Sequence, residues 1–237
     1  MLLVLAAMPE ESAPLEARLD DPAPLTVPFT TGVRAVRGTL AGTPAAVVTT
    51  GIGIAAATAA ATWAILELRP EVAVAAGSCG GLAADVEVGT LIIGESFTWS
   101  IADATAFGYA PGQVPGGPER HTAPSDLVER ARRAAVATGA AHRSGLMLSG
   151  DAFVTAPLAA PMRERFPGAL SADMETTASA RTCAALGVPF TALRAVSDLC
   201  GPSAGQQFHL ELDVVAETSA RAVEELARHL ASGGAAR

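Results

Sequence analysis

Val72-Ala-Val-Ala-Ala76-Gly-Ser-Cys-Gly-Gly81 reads as a buried strand that runs into a tight glycine-rich turn. Similar short apolar runs, bounded by Gly, Pro or Asp, recur at Leu2 to Ala7, Ala45 to Thr50, Thr90 to Phe97, Gly145 to Leu148 and Phe190 to Val196. Helical patterns lie between or after them, at about Ala55 to Leu68, Ser125 to Thr138, Pro157 to Arg165, Met174 to Leu186 and Leu210 to Leu230. In the last of these Leu212, Val215, Val223, Leu226 and Leu230 share one stripe. Strands alternating with helices predict an α/β sandwich around a mainly parallel or mixed sheet. Ligands of such sheets bind at the carboxyl ends of strands. Glu11, Ser78 and Asp198 each follow an expected strand there, and Glu175 opens an expected helix.

The chain has 237 residues, which suits one domain over residues 1–237, and no linker divides it. A net charge of −8 argues against a nucleic-acid partner, whose phosphates need clustered basic side chains. All 16 basic residues are arginine, so no lysine is present for Schiff-base chemistry or a P-loop. Half the residues are apolar, but no uninterrupted apolar run is long enough for a membrane span. Met1 to Ala7 lacks the basic start of a signal peptide and meets Pro9-Glu10-Glu11 at once, so it reads as a first strand. Cys79, Cys183 and Cys200 form no CxxC pair, and His121, His142, His209 and His229 are dispersed. Neither a disulfide framework nor a metal site is expected, and a reducing cytoplasmic location fits.

Acids placed at the ends of buried elements make a poor core and a good site for a polar small molecule. Ser171-Ala-Asp-Met-Glu175-Thr-Thr and Arg194-Ala-Val-Ser-Asp198 supply such acids, and Glu11 adds another. Each residue also has a plainer reading. Glu11 lies near Pro9 at a first helical turn, where the dipole favours an acid. Asp198 suits an N-cap, and Asp173 and Glu175 suit a helix start over a core methionine, Met174.

The order of several motifs carries more than any one of them. Ala7-Met-Pro-Glu-Glu11, Thr50-Gly-Ile-Gly53, Gly77-Ser-Cys-Gly-Gly81, Thr105-Ala-Phe-Gly-Tyr109 with Gly112-Gln-Val-Pro-Gly116, Ser149-Gly-Asp-Ala-Phe153, Asp173-Met-Glu175 and Arg194 to Asp198 together resemble the nucleoside phosphorylase/nucleosidase family nearly end to end. The resemblance implies an α/β fold of the nucleoside phosphorylase kind, a three-layer α/β/α sandwich with a central mixed sheet, and hydrolysis of the N-glycosidic bond of 5′-methylthioadenosine and S-adenosylhomocysteine, with no metal or organic cofactor. It makes Glu11 the general acid or base acting on water, with Glu10 as the lesser candidate. Asp198, oriented by Ser197, passes a proton to the purine, and Arg194 positions the water. Glu175 binds the ribose hydroxyls, with Met174 against the sugar.

By the same resemblance Phe153 stacks on adenine, the Val154 backbone reads its edge, and Ser78 and Gly80 lie near base and sugar. Met8, Ile52 and Leu212 join a 5′-substituent pocket that Phe107, Tyr109 and Pro115 of a neighbouring subunit close, which implies a homodimer. The family's nucleosidases carry Glu-Met-Glu where this chain has Asp173-Met174-Glu175. Phosphorylases with a similar Gly-Ser-Cys-Gly carry a phosphate-binding arginine where this chain has Ala75, which favours water as the nucleophile. A nucleosidase for a related adenosine such as aminofutalosine, a phosphorylase and a non-catalytic nucleoside-binding protein remain the alternatives.

Overall fold

The computed structural model describes residues 1–234. The first strand, β1 (Leu2–Ala6), shows how the fold is layered. Side chains alternate along a strand, so Leu2 and Val4 enter one core cluster while Leu3 and Leu5 enter another on the opposite face. All four are excluded from solvent, and each contributes roughly 1.5–3 kcal/mol of burial.

The remaining strands are β2 (Leu19–Pro24), β3 (Arg34–Leu40), β4 (Thr43–Thr49), β5 (Val72–Gly81), β6 (Leu91–Trp99), β7 (His121–Thr122), β8 (His142–Ser149), β9 (Ala169–Asp173) and β10 (Phe190–Asp198). The helices are α1 (Pro9–Glu16), α2 (Ile54–Leu68), α3 (Ser125–Thr138), α4 (Ala156–Arg165), α5 (Thr176–Ala185) and α6 (Ala204–Gly234). One mixed sheet runs in the order β10-β6-β8-β9-β5-β1-β4-β3-β2, with β7 on β6. Because β10 also pairs with β5, the first five strands of that order close on one another, and β1, β4, β3 and β2 extend as a wing.

Helices cover both faces. Leu15 of α1, Leu127 and Ala131 of α3, and Val215, Val223 and Leu226 of α6 fill one cluster. Ala60, Ala61, Ala64 and Ile65 of α2, with Ala180 and Cys183 of α5, fill the other. The small residues of α2 recur at helical spacing, which lets this helix lie close against α5. The α/β/α layering around a mixed sheet is therefore the one expected.

Some elements differ from the sequence reading. The Gly77 to Gly81 run is not a turn: β5 continues through it, paired with β10 as far as Gly80 and with β9 at Gly80 and Gly81. Ser78 and Asp198 accordingly lie within strands rather than after them. Helix α1 and strands β2, β3, β7 and β9 add to the elements read from periodicity. Of the expected α6 stripe, Val215, Val223 and Leu226 are buried and Leu230 packs at the edge, while Leu212 is only half-buried.

Candidate active site

Strands β1, β4, β5 and β10 run parallel to one another, β8 and β9 form a parallel pair that joins them through antiparallel neighbours, and the carboxyl ends of these strands border a cavity of about 310 Å³. Its lining includes Glu11, Asp173, Glu175 and Asp198, and Arg194 is its one basic residue among the described residues.

Glu11 occupies the third position of α1 and is 1% exposed. Its Oε2 accepts from the backbone N–H of Ala7 at 2.9 Å and of Met8 at 3.2 Å. Its Oε1 accepts from both the backbone N–H and the hydroxyl of Ser78, each at 2.7 Å. The carboxylate thus bridges the end of β1 to β5. The bridge needs Gly77, whose φ is 118° and where a Cβ would come within 2.4 Å of the Glu11 carboxylate.

Glu175 is the residue before α5. Its Oε1 accepts from Gly53 N at 2.9 Å, and its Oε2 accepts from Arg194 Nη2 at 3.3 Å. Arg194 Nη1 donates to the Ser78 carbonyl at 2.8 Å. Burial alone would lower the Arg194 pKa, but Asp173, Glu175 and Glu11 around it raise it, so the guanidinium is a fixed cation. Asp173 Oδ1 accepts from Ser149 Oγ at 2.7 Å, Glu175 N at 2.9 Å and Thr176 N at 2.8 Å, and so closes the first turn of α5. Asp173 Oδ2 and Arg194 Nε, 3.8 Å apart, are both buried without a hydrogen-bond partner among the described residues.

Asp198 ends β10 and caps no helix, since α6 begins at Ala204. Its Oδ1 accepts from Cys200 N at 2.9 Å and its Oδ2 from Ser197 Oγ at 3.0 Å. Burial holds its pKa above the usual carboxylate range against those hydrogen bonds.

The cavity gathers Met8, Glu11, Ile52, Ser78, Gly80, Phe153, Val154, Met174, Glu175, Arg194, Ser197 and Asp198, residues drawn from the whole length of the chain. Leu212 does not line it. Neither do Phe107, Tyr109 and Pro115; Phe107, in a short 3-10 turn at Thr105–Phe107, is 82% exposed. Ala75 is packed in the core and does not line this cavity.

Residues 2–232 match the family described as the phosphorylase superfamily. The chain belongs to that superfamily. It is similar to the 5′-methylthioadenosine/S-adenosylhomocysteine nucleosidase of Neisseria meningitidis in complex with methylthio-immucillin-A, at 36% identity and a TM-score of 0.92, covering 96% of this chain and 98% of that one. The corresponding nucleosidase of Colwellia psychrerythraea, bound to adenine, is 29% identical with a TM-score of 0.90, covering 95% of this chain and 93% of that one. That of Streptococcus pneumoniae, with a transition-state inhibitor, is 26% identical with a TM-score of 0.91, covering 97% and 99%.

Phe208 also lines the cavity, and sequence reasoning missed it. Its ring meets that of Phe153 edge to face, with centroids 5.8 Å apart. The available signal was an aromatic inside the polar run Gln206-Gln207-Phe208-His209, in a chain with only seven Phe, two Trp and one Tyr.

Glu175 carries a measurable cost of this design. Burial pushes its pKa up to about 7, helped by Asp173 and Glu11 and opposed by Arg194. The folded pKa exceeds the ordinary value of 4.5, so between those two values the folded protein holds more protons than the unfolded chain. Stability then falls as pH rises through that window and the full penalty stands above it. Glu175→Gln removes this titration while the similarly directed one of Asp198 remains. Thermal midpoints of wild type and variant, followed from pH 4.5 to 8, are expected to move in the variant's favour with rising pH. Parallel curves would remove the buried titration from Glu175.

Proposed function

We propose that the protein hydrolyses the N-glycosidic bond of 5′-methylthioadenosine and S-adenosylhomocysteine, releasing adenine and a 5-thioribose product. The observation that carries this reading is the charge of the cavity: four carboxylates against one guanidinium already held by Glu175 and the Ser78 carbonyl. A phosphate dianion would meet those acids with no free cation among the described lining residues to receive it, whereas water and a neutral nucleoside meet no such barrier.

In this mechanism Glu11, fixed by four donors, takes a proton from the attacking water. Arg194, which lines the cavity and whose Nη2 donates to Glu175, positions that water. Glu175 accepts from the ribose hydroxyls and Met174 packs on the sugar. Asp198, whose raised pKa keeps it protonated to higher pH, gives a proton to the purine as the bond from sugar to base breaks. Phe153, with Phe208 against its edge, stacks on adenine, the Val154 backbone reads the base, and Ser78, Gly80 and Ser197 line the approach. Met8 and Ile52 receive the 5′ substituent. No cofactor enters this scheme.

The same reading makes residues 1–237 one catalytic domain that works in the cytoplasm in methionine salvage, as a homodimer. Phe107, Tyr109 and Pro115 then cover the partner's 5′-substituent pocket, which accords with the exposure of Phe107 and its absence from its own cavity. Sedimentation of the active enzyme as a monomer would overturn the shared pocket. Among the described residues no helix is long and apolar enough to cross a membrane.

Incubation of the purified protein with 5′-methylthioadenosine, with and without phosphate, tests the reaction. Adenine is expected at the same rate in both, with the free thioribose as its co-product. A sugar 1-phosphate as the main product would make the enzyme a phosphorylase.

A further inference from the structure

Helix α2 starts at a residue with no side chain to cap it. Its N-cap is Gly53, at φ 100°, and the first backbone N–H groups of a helix have no acceptor within it. Two carboxylates from elsewhere in the chain take their place. Gly53 N donates to Glu175 Oε1 at 2.9 Å, and Ile54 N donates to Asp151 Oδ1 at 2.7 Å. Glu175 lines the cavity; Asp151 is exposed and does not.

Asp151 nonetheless stands between two parts of the lining. It lies two residues before Phe153, in the segment that follows β8, and the residue it binds lies two after Ile52. A Cβ at Gly53 would come within 2.8 Å of Asp151 Oδ1, so the two loops approach this closely only because a glycine is present. One exposed carboxylate oxygen therefore ties the Gly51 to Gly53 loop to the Phe153 loop. It also sits at the positive end of the α2 dipole.

We propose that Asp151 is a positioning residue for this site: by capping α2 it fixes the Gly53 N–H on Glu175 and the Phe153 loop over the base. It acts without touching substrate. This inference rests on the reading of Glu175 as the ribose-binding acid and Phe153 as the stacking ring.

The test compares Asp151→Ala with Asp151→Asn in the full chain, since asparagine keeps an oxygen that can accept from Ile54 N. Hydrogen exchange of segments 51–57 and 150–155 is measured alongside kcat and KM for 5′-methylthioadenosine and its 3′-deoxy analogue. Asp151→Ala is expected to speed exchange in both segments and to lower kcat/KM by about 10- to 100-fold, mainly through KM. The loss should be smaller for the 3′-deoxy analogue, which has less to gain from a well-placed Glu175. Asp151→Asn should stay near wild type in exchange and kinetics. Unchanged exchange and kinetics in Asp151→Ala, equal damage in Asp151→Asn, or equal losses for the two substrates would each overturn the proposal. Should the wild type release no adenine, the proposed reaction fails by itself, while exchange in the two segments still decides whether the clamp exists.

Discussion

Glu11→Gln is expected to cut turnover of 5′-methylthioadenosine by ~10²–10⁴-fold, the range for removing a general acid or base, while the chain stays folded. The hydrogen bonds say what else should happen. All the atoms facing the Glu11 carboxylate are donors: Ala7 N, Met8 N, Ser78 N and Ser78 Oγ. A glutamine amide must turn its NH₂ toward one pair of them. The cheaper choice is toward Ser78, because that hydroxyl can rotate to accept, and only Ser78 N is then left without an acceptor. Leaving one buried N–H unpaired costs about 1–3 kcal/mol, against a total stability of roughly 5–15 kcal/mol for a domain. The variant should thus melt earlier but remain folded at assay temperature. Turnover within about threefold of wild type would exclude Glu11 as a proton-transfer group, given the size of such contributions. A large loss that followed melting alone, and vanished at low temperature, would make Glu11 a structural bridge between β1 and β5.

How far this site could be read before folding depended on what each residue does locally. The strands that lie in the middle of the sheet, β1, β4, β5, β6 and β10, are continuous apolar runs and announce themselves. The wing strands do not. β2, Leu19-Asp-Asp-Pro-Ala-Pro24, is mostly exposed at the sheet edge and held by pairing with β3, so neither its composition nor its periodicity marks it. The Gly77 to Gly81 run misled for the opposite reason. Glycines usually punctuate, but here they thin a strand so that side chains can crowd it: the Glu11 carboxylate at Gly77 and the Cys200 sulfur, 2.6 Å from a Cβ, at Gly80. Asp173 shows a further limit. Its substitution for the family's usual glutamate was visible, but that its Oδ1 would be taken up by three donors at the start of α5 depends on where Ser149 of β8 arrives. Phe208 likewise reaches the cavity only because α6 begins before the stretch whose periodicity revealed it.

Asp198→Asn is expected to lose turnover by a comparable ~10²–10⁴-fold, but with little loss of stability, and this contrast with Glu11→Gln separates the two acids. Asp198 Oδ1 accepts from Cys200 N, which an asparagine oxygen can also do. On the other side Ser197 Oγ, now a donor to Oδ2 at 3.0 Å, lies 3.3 Å from the Cys79 carbonyl and can donate there while accepting from the new amide. No buried group need be left unpaired. What the variant lacks is the proton. Because burial raises the Asp198 pKa, the wild-type carboxyl stays protonated to higher pH than an exposed aspartate, and activity should decline on the alkaline side as it ionises. That limb should be absent from the residual activity of the variant. The decisive comparison is between leaving groups. Adenine needs a proton to depart as a neutral base, whereas a 4-nitrophenolate departs without one, so a 4-nitrophenyl 5-methylthioribofuranoside should be cleaved by the variant at close to the wild-type rate. An equal loss on both substrates would place Asp198 in binding or in the organisation of the cavity, and take the proton to the purine away from it.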